Sequence, residues 1–479
     1  MSSYTTDAGA PYEAAERHLL EIPKFTTKNS MENTRCFLKH LGYSENQKVI
    51  HVAGTNGKGS VCAYLRSILQ EAGYTTGMFV SPHLVCMRER FIINGEMVTE
   101  EDFLWAFRSV EEKLRCLPEN LREAHYHPTF FEYFFFMAML LFAREKVEYT
   151  ILETGLGGRL DATNAIGEKE VCVITSIGYD HMEYLGETLP EIAREKAGIF
   201  RKKVPVVYFD KNQAVTETLE KCAHLAETST FPVSFRAIKE VNSHDKTIDF
   251  SLQSNYYGYI RLSMPTIALY QIENAALAVA AVERLMEAGR TDNSVGQSAG
   301  RTDNSVGQTA GRTDNGIGQH GGGVHISAGQ IAEGIRKMRW EGRMEEIMPS
   351  VYLDGAHNTD GIQAFLQTVG QDGCAGKRFL LFSMVREKQY KAVMDMLAAS
   401  GLFDEIGVAA IQDKRALPLR ELADYLRQYT GLKIREFERL EDAVRDFTVR
   451  RKAEDKVYIV GSLYLAGEVK ALLRRPSHD

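Results

Sequence analysis

The 479-residue sequence lacks the cysteine pattern of a disulfide framework or of a zinc site. Its cysteines are odd in number and widely spread, and none forms a CxxC pair: Cys36, Cys62, Cys86, Cys116, Cys172, Cys222 and Cys374. Thiols without partners at disulfide or metal spacing are typical of a reducing compartment. We therefore expect reduced cysteines and a cytoplasmic location.

A net positive charge and long apolar runs are also missing. The 57 Lys and Arg residues against 64 Asp and Glu residues give a formal net charge of −7. Without a global positive field, nucleic acid and acidic membranes are not expected as partners. The most apolar run, residues 134–143, has about half the length of a membrane-spanning helix. Residues 1–10 lack the basic-then-apolar order of a secretory signal. We expect small-molecule substrates, no membrane association and a monomer.

What the chain has instead is a regular alternation of β-branched runs with helical patterns. In its first part, strands are predicted over 49–53, 75–80, 149–153, 171–176 and 204–209, with helices over 129–146, 189–199 and 271–287. Two adjoining strand-like runs over 248–264 suggest a small antiparallel addition. After Trp340 a second alternation has strands near 351–353, 378–382, 405–408, 432–435 and 456–460.

This alternation indicates the α/β class, with mostly parallel sheets. A chain of this length exceeds what one hydrophobic core usually organises, so at least two domains are expected. We predict a larger domain over residues 1–340 and a smaller, Rossmann-like domain over residues 341–479.

Three successive copies of G-R-T-D-N-x-x-G-Q-x-x lie near the domain junction, at 289–299, 300–310 and 311–321. Each copy offers a single Val or Ile, which is too little apolar surface for stacked repeats to bury. We interpret residues 289–323 as a flexible surface insertion. A calcium-binding array is the alternative, but one aspartate in each copy supplies too few oxygen ligands.

The strongest local motif is a glycine-rich loop, residues 54–60, between a predicted strand and a predicted helix. It supplies the parts that a nucleotide triphosphate needs: backbone N–H groups at a helix N-terminus, close-approach glycines, Lys58 and the hydroxyl of Ser60. Gly59 stands between Lys58 and Ser60, a departure from the common G-x-x-x-x-G-K-[ST] pattern. The alternative is a glycine-rich turn that only connects strand to helix. The motif makes the first domain a P-loop-type ATPase domain.

Two further clusters carry ionisable groups after predicted strands. Glu153 ends one strand and precedes a second glycine-rich stretch, a position suited to hold Mg²⁺, although a tight turn explains the glycines equally well. Asp180 and His181 follow another strand, and Lys196 lies in the next helix. By chemistry alone, an isolated histidine is more often structural and Lys196 is an ordinary solvated helix charge.

Taken together, four segments in order, 51–60, 81–84, 152–164 and 194–200, resemble the signature of the folylpolyglutamate and dihydrofolate synthases of the Mur ligase superfamily. The similarity continues through 340–343, 354–358 and 461–465, so that it spans nearly the whole chain apart from the repeats. The resemblance implies that the first domain is the Mur ligase central domain. The segment before Asn274 departs from the family, which usually has His-Gln where this chain has Tyr270-Gln271.

The resemblance also implies roles for individual residues. ATP would be bound by Thr55, Asn56, Gly57, Lys58, Gly59, Ser60, Asn274, Arg343 and Asp354. Mg²⁺ would be bound by Ser81, Glu153 and His181. A pterin or folate would contact Thr129, Phe130, Phe131, Glu132, Leu160, Asp161 and Ala162, for which helix packing is the alternative. Lys196 would carry a CO₂-derived carbamate, and Lys58, Lys196 and His181 would serve catalysis.

The implied reaction is ATP-dependent ligation of L-glutamate to a folate through an acyl phosphate, in a cleft that the second domain closes with Arg343 and Asp354. Carbamate formation requires a neutral amine, so burial and nearby positive charge must lower the pKa of Lys196. Two alternatives remain: a muramyl-peptide ligase with the same chemistry, and a P-loop switch or binding protein that hydrolyses nucleotide without ligation.

Overall fold

The computed structural model describes residues 11–22, 29–44, 47–294, 324–386, 389–429 and 431–474. Within these ranges an eight-stranded sheet has the order β4-β3-β2-β5-β1-β6-β7-β8. Its strands are β1 Lys48–Ala53, β2 Thr76–Phe79, β3 Phe91–Ile93, β4 Glu96–Met97, β5 Tyr149–Glu153, β6 Val171–Ile174, β7 Val206–Phe209 and β8 Thr230–Val233. Strands β2, β5, β1, β6, β7 and β8 run parallel, while β3 and β4 form an antiparallel edge.

Helices cover both faces of this sheet, as a parallel sheet requires. They are α1 Pro11–Glu21, α2 Met31–His40, α3 Lys58–Glu71, α4 Glu100–Arg115, α5 Glu119–Glu123, α6 Phe130–Arg144, α7 Met182–Leu185, α8 Leu189–Ala197, α9 Gln213–Leu225, α10 Gln271–Ser294 and α11 Ala328–Lys337. Helices α3, α10 and α11 share one core cluster, and α1, α2, α4 and α6 share another. Helix α6 is apolar nearly all round and is accordingly buried.

A small antiparallel sheet, of three strands in the described part of the chain, follows the first sheet: β9 Ile238–His244, β10 Thr247–Ser254 and β11 Gly258–Met264. The sequence predicted β10 and β11 but not β9. Most residues of β9 are exposed, so that strand lacks the alternation of apolar residues that identifies a half-buried strand. The inner residues of β10 and β11 join the core of α3, α10 and α11.

The C-terminal sheet has the order β12-β13-β17-β14-β15-β16 within the described ranges. Its strands are β12 Glu345–Met348, β13 Val351–Leu353, β14 Arg378–Phe382, β15 Glu405–Ala409, β16 Lys433–Phe437 and β17 Lys456–Val460. Its helices are α12 Thr359–Gln371, α13 Tyr390–Ala399, α14 Leu419–Tyr429, α15 Leu440–Arg450 and α16 Leu463–Arg474. All its strand pairs are parallel except β12 with β13. The predicted class, two mostly parallel α/β units in sequence, is confirmed.

One boundary differs from the prediction near the repeats. Helix α10 continues beyond Glu287, where the sequence predicted its end, to Ser294. It therefore includes the start of the first repeat copy. That segment contains no proline, the residue that would stop a helix. The remainder of the predicted flexible insertion, residues 295–323, lies outside the described residues. In the described ranges, no helix combines the length and apolarity needed to traverse a bilayer.

Candidate active site

A cavity of about 1190 Å³ lies between the two parallel sheets, at the carboxyl ends of β1, β5 and β6. Open α/β sheets bind ligands at this end of their strands. Every site residue predicted from the sequence lines this cavity except Lys196. Arg343 and Asp354 reach it from the C-terminal sheet, so both parts of the chain contribute to one space.

The phosphate loop is shaped by one glycine in the left-handed region of the backbone. Gly57 has a φ of +90° and stands directly before the first residue of α3. A Cβ atom added at Gly57 would lie 2.3 Å from Oδ1 of Asn274, so any larger residue would displace that side chain. Residues 57–60, at the start of α3, line the cavity, and a helix N-terminus favours an anion.

The lysine and hydroxyl of the loop are held by neighbouring polar groups. Lys58 Nζ donates to the carbonyl oxygen of Thr55 at 3.0 Å. Ser60 Oγ accepts a hydrogen bond from Gln271 Nε2 at 3.2 Å, and Gln271 Oε1 accepts one from Asn274 Nδ2 at 2.9 Å. The first turn of α10 is therefore tied to the first turn of α3, and Asn274 is fixed beside the loop.

Glu153, the last residue of β5, is a buried carboxylate on the cavity wall. Its Oε2 accepts the backbone N–H of Ser81 at 3.0 Å, while Oε1 has no hydrogen-bond donor in the described part of the chain. Burial raises the pKa of Glu153, and the positive charge of Lys58 opposes that shift. A cation beside Oε1 would favour the ionised carboxylate, so Glu153 fits the role of a metal ligand.

The other predicted metal ligands are less confined. His181 is partly exposed and adopts a left-handed conformation, with φ +47°, immediately before α7. Its Nε2 lies 3.8 Å from Oδ1 of Asp180, whose pKa is lowered by the neighbouring His357 and His181 despite burial. Among the described residues, no group of three or more His, Cys, Asp or Glu side chains is arranged to hold a metal by itself. A metal ion held by Glu153 and His181 would therefore need a further oxygen ligand, such as Ser81.

Lys196 does not line the cavity but lies behind the phosphate loop. It is 4% exposed, and its Nζ donates to the carbonyl oxygen of Gly54 at 2.6 Å. Burial, followed by repulsion from Lys58, lowers its pKa to about 7, although Asp180 and Asp161 oppose the shift. The burial and the nearby positive charge that the resemblance required of this amine are present, and the alternative of an ordinary solvated helix charge is wrong. Sequence alone could not show the burial, because Lys196 lies in a helix that otherwise carries solvated charges.

The predicted pterin segment at the start of α6 uses its polar groups to hold the fold. Thr129 and Glu132 form a capping box: Glu132 Oε2 accepts the N–H of Thr129 at 2.8 Å, and Thr129 Oγ1 accepts the N–H of Glu132 at 3.3 Å. Glu132 also accepts hydrogen bonds from Asn29 Nδ2 at 2.7 Å and Thr34 Oγ1 at 2.8 Å. Its carboxylate therefore joins the start of α6 to the start of α2 by hydrogen bonds.

The second predicted pterin segment behaves similarly. Asp161 Oδ2 accepts the N–H groups of Gly155 and Leu156, both at 2.9 Å, and its Oδ1 accepts the N–H of Thr163 at 3.1 Å. It closes the glycine-rich turn after β5. The apolar residues of both segments, in contrast, offer surface to the cavity: Phe130, Phe131, Leu160 and Ala162. Of these, Leu160 is exposed and Phe130 is buried.

Some contacts across the cavity were not predicted. Asn56 and Asn358 exchange side-chain amide hydrogen bonds of 3.0 and 3.1 Å, which joins the phosphate loop to the N-terminus of α12. Asn358 Nδ2 also lies 3.3 Å from Oδ2 of Asp180. The segment 354–358 was part of the predicted motif, but only Asp354 was assigned a role. The signal for Asn358 was its place before a predicted helix, where asparagine is a favoured cap.

Comparison with known proteins identifies the family. Residues 52–282 match the Mur ligase middle domain, and residues 339–463 match the glutamate ligase domain of the Mur ligases. The dihydrofolate synthase/folylpolyglutamate synthase of Bacillus subtilis (strain 168) is 31% identical over 466 residues, covering 94% of this chain and 96% of that protein. The chain belongs to the dihydrofolate synthase/folylpolyglutamate synthase family. The predicted family and its Mur ligase superfamily are thus confirmed.

Solved structures of the dihydrofolate synthase/folylpolyglutamate synthase family share the architecture. The Mycobacterium tuberculosis folylpolyglutamate synthase complexed with ADP has a TM-score of 0.82 at 25% identity, covering 97% of this chain and 98% of that chain. E. coli FolC in complex with DHPP and ADP has a TM-score of 0.77 at 26% identity, covering 98% of this chain and 99% of that chain. The two-domain arrangement around the cavity is therefore that of the family.

Proposed function

We propose that this chain ligates L-glutamate to a folate, to dihydropteroate or to both, with ATP as the co-substrate. The observation that carries the proposal is the single cavity that joins the phosphate loop, the buried Glu153 and the C-terminal Asp354. The ADP-bound relatives of the same architecture support nucleotide in this space. The B. subtilis relative, matched over nearly its whole length, supports the substrate class.

The reaction brings two anions together. A substrate carboxylate oxygen attacks the γ-phosphorus of ATP, the bond to ADP breaks, and an acyl phosphate forms. The amino nitrogen of glutamate then attacks the acyl carbon, loses a proton and displaces phosphate. At ~4 Å, two unit charges repel by about 4 kcal/mol at an effective dielectric constant of about 20. In the proposed mechanism, Lys58 and the N-terminus of α3 reduce this repulsion, because they place positive charge beside the transferred phosphate.

Mg²⁺ belongs to the proposal, with Ser81, Glu153 and His181 as its protein ligands. When bound, the ion would neutralise phosphate charge and act as a Lewis acid. The Oε1 atom of Glu153, which has no hydrogen-bond donor in the described part of the chain, supports this assignment. A bound cation would also offset the burial that raises the pKa of this carboxylate. Thr55, Asn56, Gly57, Gly59, Ser60, Asn274, Arg343 and Asp354 complete the proposed ATP contacts.

Lys196 is proposed to react with CO₂. The ammonium would first lose one proton; the neutral amine would then attack the carbon atom of CO₂, form an N–C bond while one C=O π bond opens onto oxygen, and release a second proton. A cation behind the phosphate loop would thereby become an anion. A pKa of about 7 leaves a large neutral fraction at physiological pH, which supports this chemistry. The carbamate would remove the repulsion between Lys196 and Lys58 and place a negative charge beside the proposed metal ligands.

The pterin is proposed to rest against Phe130, Phe131, Leu160 and Ala162, while Thr129, Glu132 and Asp161 shape that surface from behind.

We also propose domain boundaries of 1–340 and 341–479, a monomeric state and a cytoplasmic location. A shift in elution volume to twice the mass would contradict the monomer.

The test of function is phosphate release from Mg-ATP and L-glutamate with dihydropteroate, tetrahydrofolate or a muramyl nucleotide supplied in turn. Product mass should increase by one glutamate residue with a pterin substrate and stay unchanged with the muramyl nucleotide. Ligation of the muramyl nucleotide alone would replace this proposal with a cell-wall ligase. Phosphate release without any mass increase would indicate a nucleotide-dependent switch.

A further inference from the structure

The segment between β11 and α10, residues 265–270, belongs to the first domain in sequence but packs on the second. Ala268 is fully buried in the core cluster of the C-terminal sheet, and Ile267 and Tyr270 pack against that cluster. The N–H of Leu269 donates to Thr368 Oγ1, in α12, at 3.3 Å. This short segment therefore crosses the domain junction immediately before the helix that carries Asn274.

At the end of the segment, Tyr270 reaches the proposed ATP contact Asp354. Its hydroxyl donates to Asp354 Oδ2 at 2.6 Å. Asp354 also accepts the backbone N–H of Met344 on Oδ2 at 2.9 Å and that of Ala356 on Oδ1 at 2.8 Å. In the described ranges, Tyr270 provides the one side-chain hydrogen bond to this carboxylate, and it comes from the opposite domain.

We propose that Tyr270 is a positioning residue that fixes the Asp354 carboxylate toward the nucleotide and thereby links ATP binding to the contact between the domains. This inference rests on the proposed function, in which Asp354 contacts ATP. It also assigns a role at the position where the family usually has histidine, because a phenol O–H and an imidazole N–H can both donate to a carboxylate.

The local electrostatics keep this hydrogen bond in place. Burial, followed by the negative charge of Asp354, raises the pKa of Tyr270, so the hydroxyl remains a donor across the physiological range. Burial raises the pKa of Asp354, while Arg343 and the Tyr270 hydrogen bond oppose that rise. Loss of the donor would leave a buried carboxylate with one fewer hydrogen bond and a more variable orientation.

The test compares Tyr270→Phe with Tyr352→Phe in the full-length enzyme. Tyr352 lies in β13, in the same core cluster, and its buried hydroxyl has no hydrogen-bond partner in the described part of the chain. Tyr270→Phe is expected to raise the KM for ATP and the Kd for ADP on the order of tenfold, with the KM for glutamate unchanged. Tyr352→Phe should leave all of these constants unchanged. Tyr270→His should restore ADP affinity to within about threefold of the wild type.

Unchanged ADP and ATP constants in a folded Tyr270→Phe enzyme would overturn the proposal, as would equal losses in Tyr270→Phe and Tyr352→Phe. If Tyr270→Phe does not fold, Tyr270→His decides: near-wild-type ADP affinity supports the donor role, and a tenfold loss refutes it. The ADP titration needs no ligation. Absence of glutamate transfer by the wild type would therefore refute the proposed function separately from the role of Tyr270.

Discussion

The phosphate loop and the predicted pterin segments line the same cavity but use their polar groups differently. In the loop, Lys58 bonds to a single backbone carbonyl, and residues 57–60 at the start of α3 line the cavity. In the pterin segments, Glu132 and Asp161 each accept three or more hydrogen bonds from the protein itself. Lys58 thus keeps its charge for a ligand, whereas Glu132 and Asp161 hold helices and turns.

This difference bears on how residues near a ligand are interpreted. A carboxylate whose oxygens are already occupied by protein donors has little capacity left for a substrate, although it lines the cavity. Its replacement should then affect stability more than binding. The reverse should hold on the phosphate-loop side, where the residues keep unused charge or an unused oxygen.

The largest effect is expected for Lys196→Ala, which acts on the phosphate-loop side. Lys196 lies behind the phosphate loop, and removal of the proposed carbamate charge from this position should lower turnover by about a hundredfold or more. The folded structure should persist, because alanine leaves no buried charge behind. Steady-state phosphate release together with far-UV circular dichroism checks both parts. Lys196→Arg, which keeps a cation but cannot form a carbamate, should be equally inactive, and full activity in either folded variant would remove the carbamate.

The activity should also depend on pH and on CO₂, because both control the state of Lys196 on the phosphate-loop side. The folded pKa of Lys196, about 7, is below its ordinary value, so the neutral amine that CO₂ requires is favoured above pH 7 and lost below it. Activity in CO₂-depleted buffer should therefore fall as the pH decreases through 7, and bicarbonate should restore part of it. With ¹³C-bicarbonate, a carbamate carbon signal should appear in the wild type and be absent from Lys196→Ala. An equal signal in both would place the modification elsewhere.

Glu132→Gln tests the other side of the comparison. The substitution keeps the size of the side chain but replaces the carboxylate with an amide. The carboxylate accepts hydrogen bonds from Thr129, Asn29 and Thr34. We expect a loss of about 1–3 kcal/mol in the free energy of unfolding, with the KM for ATP unchanged. Denaturant unfolding and initial rates measure the two quantities. Glu101→Gln, an exposed first-turn glutamate of α4, is the matched control and should change neither. A large rise in the KM for folate without loss of stability would make Glu132 a substrate contact.

The smallest effect is expected from deletion of residues 295–321. These residues repeat a polar pattern with one Val or Ile in each copy, so their removal takes little apolar surface from any core. The deletion leaves α10 intact to Ser294, whereas a cut at Asp292 would shorten the helix. Thermal unfolding and turnover should stay within experimental error of the wild type. A marked loss of either would show that the repeats are structural.

Much of both parallel sheets followed from the sequence. Strands β5, β13, β14 and β17 have the predicted bounds, and others differ by a few residues at their ends. The phosphate loop was predictable because its glycines, lysine and hydroxyl are adjacent in sequence and need only the strand before and the helix after them. Strands β3, β4, β8, β9 and β12 were missed, because short or largely exposed strands carry no apolar alternation.

The sequence by itself determined the family, the alternation of strands with helices, and the residues of the phosphate loop, since all of these depend on local pattern. Only the tertiary structure decided which charges are buried and which polar groups are already occupied. Lys196 acquires its lowered pKa because the fold places it behind Gly54, 142 residues away in sequence. Tyr270 and Asp354 meet because a segment of one domain packs on the other. Burial and long-range hydrogen bonds depend on how distant segments pack, and no local sequence window contains that information.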